Sequence, residues 1–310
     1  METKETNKEN DFLTTFLNAE DVYHKQNVAG SSDAVSGSDS APQKKRRSFK
    51  ESWKTFWENN EIPVELDRWG EPVAKSTKLS RRTIIFLLLI VILIPLTMWV
   101  GMKFFGDRKY MVISIVMLLY CMLPFFITFE GRKPSAREIM LIAVWSALTA
   151  AARAIFFMVP NFKPVAAMVI IGGVTLGPEC GFLIGCMSIL VSNFIYGQGP
   201  WTPWQMVVFG VIGLLAGVLF QKGIIKRSKI SLCIYGFLSV VFIYGGLMNP
   251  ASIIMFSSQI TWQAILGAYI AGLPMDLVQA VATVIFLFFG AKPLIEKMER
   301  VQVKWGLRKK

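Results

Sequence analysis

The chain has 310 residues, 53% of them hydrophobic, and a net charge of +12. With a positive mean hydropathy, this composition argues against an ordinary soluble domain. The excess charge flanks apolar runs, which points to anionic lipid and away from nucleic acid.

Residues 1–42 are rich in Ser, Asp, Glu, Asn and Lys, have little to bury, and read as disordered. The single histidine, His24, falls here and reads as solvated. No secretory signal is visible, because the first apolar run begins too late. A basic run, Lys44 to Arg47, then leads into Phe49, Trp53, Phe56 and Trp57, which share one helical face. Residues 43–58 therefore predict an amphipathic helix on the anionic inner leaflet. A docking helix for a partner is the rival reading. Residues 1–83 as a whole are expected to form a cytoplasmic tail.

Eight apolar spans follow, at roughly 84–102, 110–129, 138–158, 164–178, 180–197, 205–221, 230–248 and 263–290. Arg81 and Arg82, then Arg132, Lys133 and Arg137, then Lys222, Lys226, Arg227 and Lys229, and the basic C-terminus all fall on one side of such a bundle. The positive-inside rule puts that side, with both termini, in the cytoplasm. Lys103, Arg108 and Lys109 dissent and are outvoted. The expected fold class is an all-α integral membrane protein. Residues 84–129 form a two-helix transmembrane hairpin, 138–290 a six-helix core, and 291–310 a basic cytoplasmic tail. Localisation is the plasma membrane, multi-pass.

Chemistry-bearing motifs are few. There is no P-loop and no His-Glu-x-x-His, so neither ATP hydrolysis by that route nor zinc proteolysis is expected. The four cysteines, Cys121, Cys180, Cys186 and Cys233, form no Cys-x-x-Cys pair and read as small buried side chains. No metal or cofactor is expected. The deep ionisable residues are Asp276 and Arg153, with Glu179 at a loop. That is too few for a proton relay or an intramembrane enzyme.

Polar residues gather in three loops on the expected external side. These are Arg153 to Pro164, Ser192 to Gln205, and Met248 to Trp262. They mix aromatics with amides and hydroxyls, as ligand pockets do. Asn193, Gln198, Gln205, Asn249 and Gln259 offer paired donors and acceptors. Trp201 and Trp204, held by the prolines of Gly199-Pro-Trp-Thr-Pro-Trp204, offer stacking planes. Asn161, Lys163, Tyr196 and Trp262 complete the candidate lining. Aromatics at these positions also suit lipid anchoring. In the last span, Asp276 must face protein or water. Gln279 lies one turn on, near enough to hydrogen-bond it, and Arg153 is a plausible counter-charge. Asp276 and Gln279 are candidate ligand contacts, with a structural role for Asp276 equally open.

Small residues make a second pattern. Ala147 and Ala151, and Ala150 and Ala154, repeat at a spacing of four, as do Gly213 and Gly217. Such spacing lets helices approach closely. For the glycines packing within the chain is the plainer reading, and for the alanines an intermolecular face is as reasonable.

Taken in order, these strings resemble the substrate-binding S component of energy-coupling factor (ECF) transporters, over about 138–290. The alanine face at Ala147 and Ala151 resembles the family's docking motif. Arg153 and the Pro160-Asn-Phe-Lys-Pro164 turn follow it. Gly272-Leu-Pro-Met-Asp276 with Gln279 resembles the closing-helix pattern, although the family usually has His at Gln279 and Asn at Thr283. The resemblance implies an S-component-like core that captures a vitamin outside and docks, through Ala147, Ala150, Ala151 and Ala154, on a transmembrane T subunit with two ATPases. It then topples to carry the ligand inward. The Trp-rich segment looks like that of vitamin-binding members, with cobalamin or another corrinoid the first expectation and riboflavin-like vitamins open. A self-sufficient secondary transporter or channel is the alternative function.

Overall fold

The computed structural model describes residues 135–257 except 225 and 227, residues 261–307, and a few positions between 54 and 119. All of these belong to one compact unit, Trp53–Lys310. The expected disordered tail, most of the 43–58 helix, and the 84–129 hairpin save for isolated helical positions lie outside the described residues.

The described core is helical, without a β-strand. Helix α1 spans Ala136–Ile155, α2 Val165–Leu176, α3 Pro178–Tyr196, α4 Trp201–Gln221, α5 Lys229–Phe256 and α6 Trp262–Lys304. All but α2 are long and apolar enough to cross a membrane. These are the six core helices expected from hydropathy.

Local chemistry sets the boundaries. Ser135 caps α1 by accepting the Glu138 N–H at 3.2 Å, and Glu138 lies in the first turn, where negative charge suits the helix dipole. Gly177, at φ 102°, ends α2 and lets Pro178 open α3 at once. Thr261 caps α6 through the Ala264 N–H at 3.1 Å.

Helix α2 is apolar all round and buried from Val165 to Thr175, so it forms the centre of the bundle. It packs on α3 and α4 backbone to backbone. A Cβ on Gly173 would overlap the Gly213 carbonyl, and one on Gly217 would come within 2.6 Å of Pro178 Cα. The Gly213 and Gly217 pair therefore serves packing inside the chain.

Successive helices run up and down, which gives the bundle two ends. At one end Gln302 of α6 donates to the Thr175 carbonyl at 3.1 Å, and Arg137 of α1 donates to the Trp305 carbonyl at 2.9 Å. The last helix, expected to end near 290, instead runs to Lys304. Ala291, Ile295 and Met298 extend its apolar stripe against the core at spacings of three and four. At this same end Ile62 is buried and Lys229 N–H bonds the Asn60 carbonyl at 3.0 Å. The other end carries the 156–164 and 197–200 loops and the polar residues.

Candidate functional site

Five helices converge on a polar layer near that second end. Arg153, in the last turn of α1, is buried and donates from Nη1 to Ser192 Oγ and to Asn193 Oδ1, the latter at 2.7 Å. The Asn193 amide passes the network on, donating to Thr202 Oγ1 at 3.0 Å and Gln205 Oε1 at 3.1 Å. Ser192 and Asn193 of α3 and Thr202 and Gln205 of α4 are thus each met by a neighbour, as burial demands. Tyr196 closes the layer toward the loop. Its hydroxyl donates to the Arg153 carbonyl at 2.7 Å, and its ring lies 4.2 Å from the Arg153 guanidinium.

Lys163 reaches the same ring, with Nζ 5.0 Å from its centroid. Burial, and then the charge of Arg153, hold its ammonium below the usual lysine range. Asn161, at φ 54°, turns the chain that presents it.

A second polar pair joins α5 and α6. Asn249 donates to Asp276 Oδ2 at 2.8 Å. The helices meet this closely because Gly245 and Gly272 lack side chains: a Cβ on Gly245 would stand 2.5 Å from Asp276 Oδ2. Gln279 is buried on the same face of α6 but makes no hydrogen bond to Asp276. Nor does Arg153 pair with Asp276. Their side chains belong to separate clusters, and Tyr244 stands in electrostatic reach of both. Tyr244 ends a π-helical turn, Ser239–Tyr244, which shifts the register of α5 here.

Aromatics line one side. Phe156 packs on Phe162 and Phe286 at centroid distances of 6.0 and 5.1 Å, and Phe157 on Tyr196 at 4.8 Å. Beside Phe286 an apolar cleft of about 350 Å³ opens between α2 and α6. Its lining, which includes Met168, Ile171, Phe289 and Leu294, holds no polar side chain to direct a ligand.

The expected lining residues divide. Asn193, Tyr196, Gln205 and Lys163 come together, and Asn249 and Asp276 form the neighbouring pair. The two tryptophans do not act as paired stacking planes. Trp204 is 1% exposed within the apolar core, its indole N–H without a partner, while Trp201 is half-buried 6.5 Å from Phe256. Two prolines fix the turn, but the helix begins at Trp201, and Trp204 lies about one turn deeper along it, where the core covers it. Gln198 is exposed and bonds the Leu190 carbonyl at 3.2 Å, and Trp262 is 73% exposed. Gln259 lies outside the described residues. Ser192, Thr202 and Tyr244 belong to the layer and were not singled out from sequence. A hydroxyl flanking Asn193 was the available signal for the first.

Of the alanines, Ala147 and Ala151 are exposed on α1, together with Ala143. Ala150 is buried inside the bundle and Ala154 is half-buried, so the two pairs lie on different faces. Cys180, Cys186 and Cys233 are buried. Among the described residues no cluster of His, Cys, Asp or Glu could hold a metal.

The described helices form a multi-pass membrane bundle that buries a layer of amides, hydroxyls and one guanidinium. The comparisons make this specific. Residues 133–295, just over half of the chain, match the family described as ECF-type riboflavin transporter, S component. The chain belongs to that family, whose members are substrate-binding subunits of transporters and not enzymes, working with a T subunit and ATPases. It is also 26% identical over 125 residues to a UPF0397 protein of Vibrio atlanticus, covering 38% of this chain and 68% of that one. Similarity to a UPF0397 protein of Aliivibrio fischeri is 27% over 124 residues, covering 36% and 67%. A third, from Aliivibrio salmonicida, is 30% identical over 89 residues, covering 27% and 48%. No solved structure matches.

Proposed function

We propose that this chain captures a flavin-type vitamin from outside the cell and delivers it inward as the S component of an ECF importer. The observation that carries the reading is the buried layer from Arg153 through Asn193 to Gln205. Donors and acceptors held there by one another are preorganised for a hydrogen-bonding ring, so little ordering is lost on binding. The aromatic side formed by Phe156, Phe157, Phe162 and Tyr196 suits a planar ligand. In the sequence, the likeness of the Trp-rich segment to vitamin-binding members, with its two indoles and many amides, puts a corrinoid first. With Trp204 in the core and Trp201 against Phe256, that support falls away, and the family's riboflavin becomes the better first ligand.

In this reading the polar end faces outward and both termini lie in the cytoplasm. The exposed stripe Ala143, Ala147 and Ala151 meets the T subunit, where small side chains permit close helix approach. Two ATPase subunits supply the energy that this chain lacks.

The test begins with the purified full chain and no nucleotide. Riboflavin should bind tightly and quench tryptophan emission. Ala151→Leu should leave that affinity unchanged while abolishing uptake in cells that carry the T subunit and ATPases. Riboflavin uptake into liposomes holding this chain alone would instead show a self-sufficient transporter.

A further inference from the structure

Two cations share one aromatic ring in the polar layer, and no carboxylate answers them. The Arg153 guanidinium and the Lys163 ammonium stand 4.2 and 5.0 Å from the Tyr196 centroid. Each feels the other, because the charge of Arg153 is among the effects acting on Lys163. Among the described residues neither makes an ion pair. The deep acid Asp276 is held instead by Asn249, at 2.8 Å.

Arg153 is 8% exposed, so water compensates its charge poorly. Its Nη1 is committed to Ser192 and Asn193. A guanidinium carries five N–H donors, and the others meet no side-chain acceptor. A buried cation beside a second cation, with donors to spare, is half of a charge-assisted site. The missing half is an anion with several acceptor oxygens. Tyr196 offsets part of the cost through its ring face, but its hydroxyl is donated to the Arg153 carbonyl and carries no negative charge.

We infer that the ligand of this chain carries an oxyanion substituent, a phosphate monoester or a carboxylate, that docks between Arg153 and Lys163 beside the Tyr196 ring. The inference rests on the ligand-binding reading of this layer, and it changes the substrate class, since riboflavin itself is neutral. The loop Pro160–Pro164 becomes a specificity element: it brings Lys163 over a ring that α3 provides and a guanidinium that α1 provides.

The experiment uses the full chain in detergent and a matched pair of probes, riboflavin and riboflavin 5′-phosphate, read by tryptophan quenching. The phosphate form should bind about tenfold tighter at low salt, the scale of one charge-assisted contact. The advantage should shrink as salt rises and vanish in Lys163→Gln. Arg153→Lys, which keeps the charge but loses the fork, should reduce it in part.

Equal affinity for the two probes overturns the inference and leaves the flavin reading intact. If neither probe binds, the flavin reading fails, and inorganic phosphate decides. Phosphate that raises the thermal midpoint of the parent chain above chloride at equal ionic strength, but not that of Lys163→Gln, upholds the oxyanion site. No such rise overturns it. Phosphatidylglycerol that gives the same protection, undisplaced by inorganic phosphate, would assign the site to a lipid headgroup and also overturn it.

Discussion

Arg153 and Tyr196 hold each other twice: the guanidinium lies 4.2 Å above the phenol ring, and the phenol hydroxyl donates to the Arg153 carbonyl at 2.7 Å. The two contacts separate by mutation. Tyr196→Phe removes the hydrogen bond and keeps the ring. Tyr196→Leu removes both. Loss of the hydrogen bond should cost about 1 kcal/mol, near fivefold in ligand affinity. Loss of the ring as well should exceed about tenfold. Equal losses for the two variants, measured by ligand titration, would show that the cation does not use the ring.

Asp276 and Asn249 form the only carboxylate contact in the described polar layer. Asn249→Ala leaves a buried carboxylate without its donor and should destabilise the chain by about 1–3 kcal/mol. Asp276→Asn replaces a charge by an amide that can still pair, so its stability cost should be smaller. Thermal unfolding in detergent gives the order. If Asp276→Asn also leaves ligand affinity unchanged, the pair is structural.

Gly213 lies where α4 meets α2 and α3. A Cβ there would collide with the Gly181 carbonyl, which is backbone and cannot swing aside. Gly213→Ala should therefore cost about 1–3 kcal/mol through overpacking. Gly246→Ala is the control, because nothing stands within 4 Å of its added carbon. It should be neutral, or gain up to about 1 kcal/mol from reduced backbone freedom. Comparable losses at both positions would mean the helices are not packed by glycine contact.

Lys163 gives the pH dependence. The groups facing it are Arg153 and Tyr196. Its pKa is lowered in the free protein, and an anion bound beside it would raise it. Anion affinity is then full below the free-state pKa and falls as pH rises through it. An ordinary lysine would titrate near about 10.4, so the fall should begin earlier on the alkaline side. Titrating the phosphate-bearing probe against pH tests this. Affinity that stays flat in that window, or a fall that persists in Lys163→Gln, would remove Lys163 from the site.

Much of this architecture could be read before any coordinates. Apolar runs of bilayer length marked five core helices, because twenty apolar residues have few other uses, while α2 is shorter than a span. The Gly213 and Gly217 spacing announced a close helix crossing. The alanines at 147 and 151 did fall on an exposed face, while Ala150, one residue before Ala151, turned inward. The last helix ran past 290 because Ile295 and Met298 continue an apolar stripe among charged residues, which a hydropathy window averages away.

The site was less legible. Asn193, Gln205 and Asn249 read as loop amides that could contact a ligand, and Asp276 as a carboxylate that must face protein or water, which follows from the cost of leaving it unpaired. Which group satisfies which is a matter of helix rotation and crossing. Asp276 found Asn249 rather than Arg153 or Gln279, because glycines at 245 and 272 bring α5 and α6 together. Trp204 went into the core, and Lys163 met Arg153 over a ring from a third helix. Sequence by itself determined the membrane, its long apolar helices and the need of Asp276 for a polar neighbour. Only the tertiary structure decided the pairing, because contacts between helices depend on rotations that no spacing along the chain encodes.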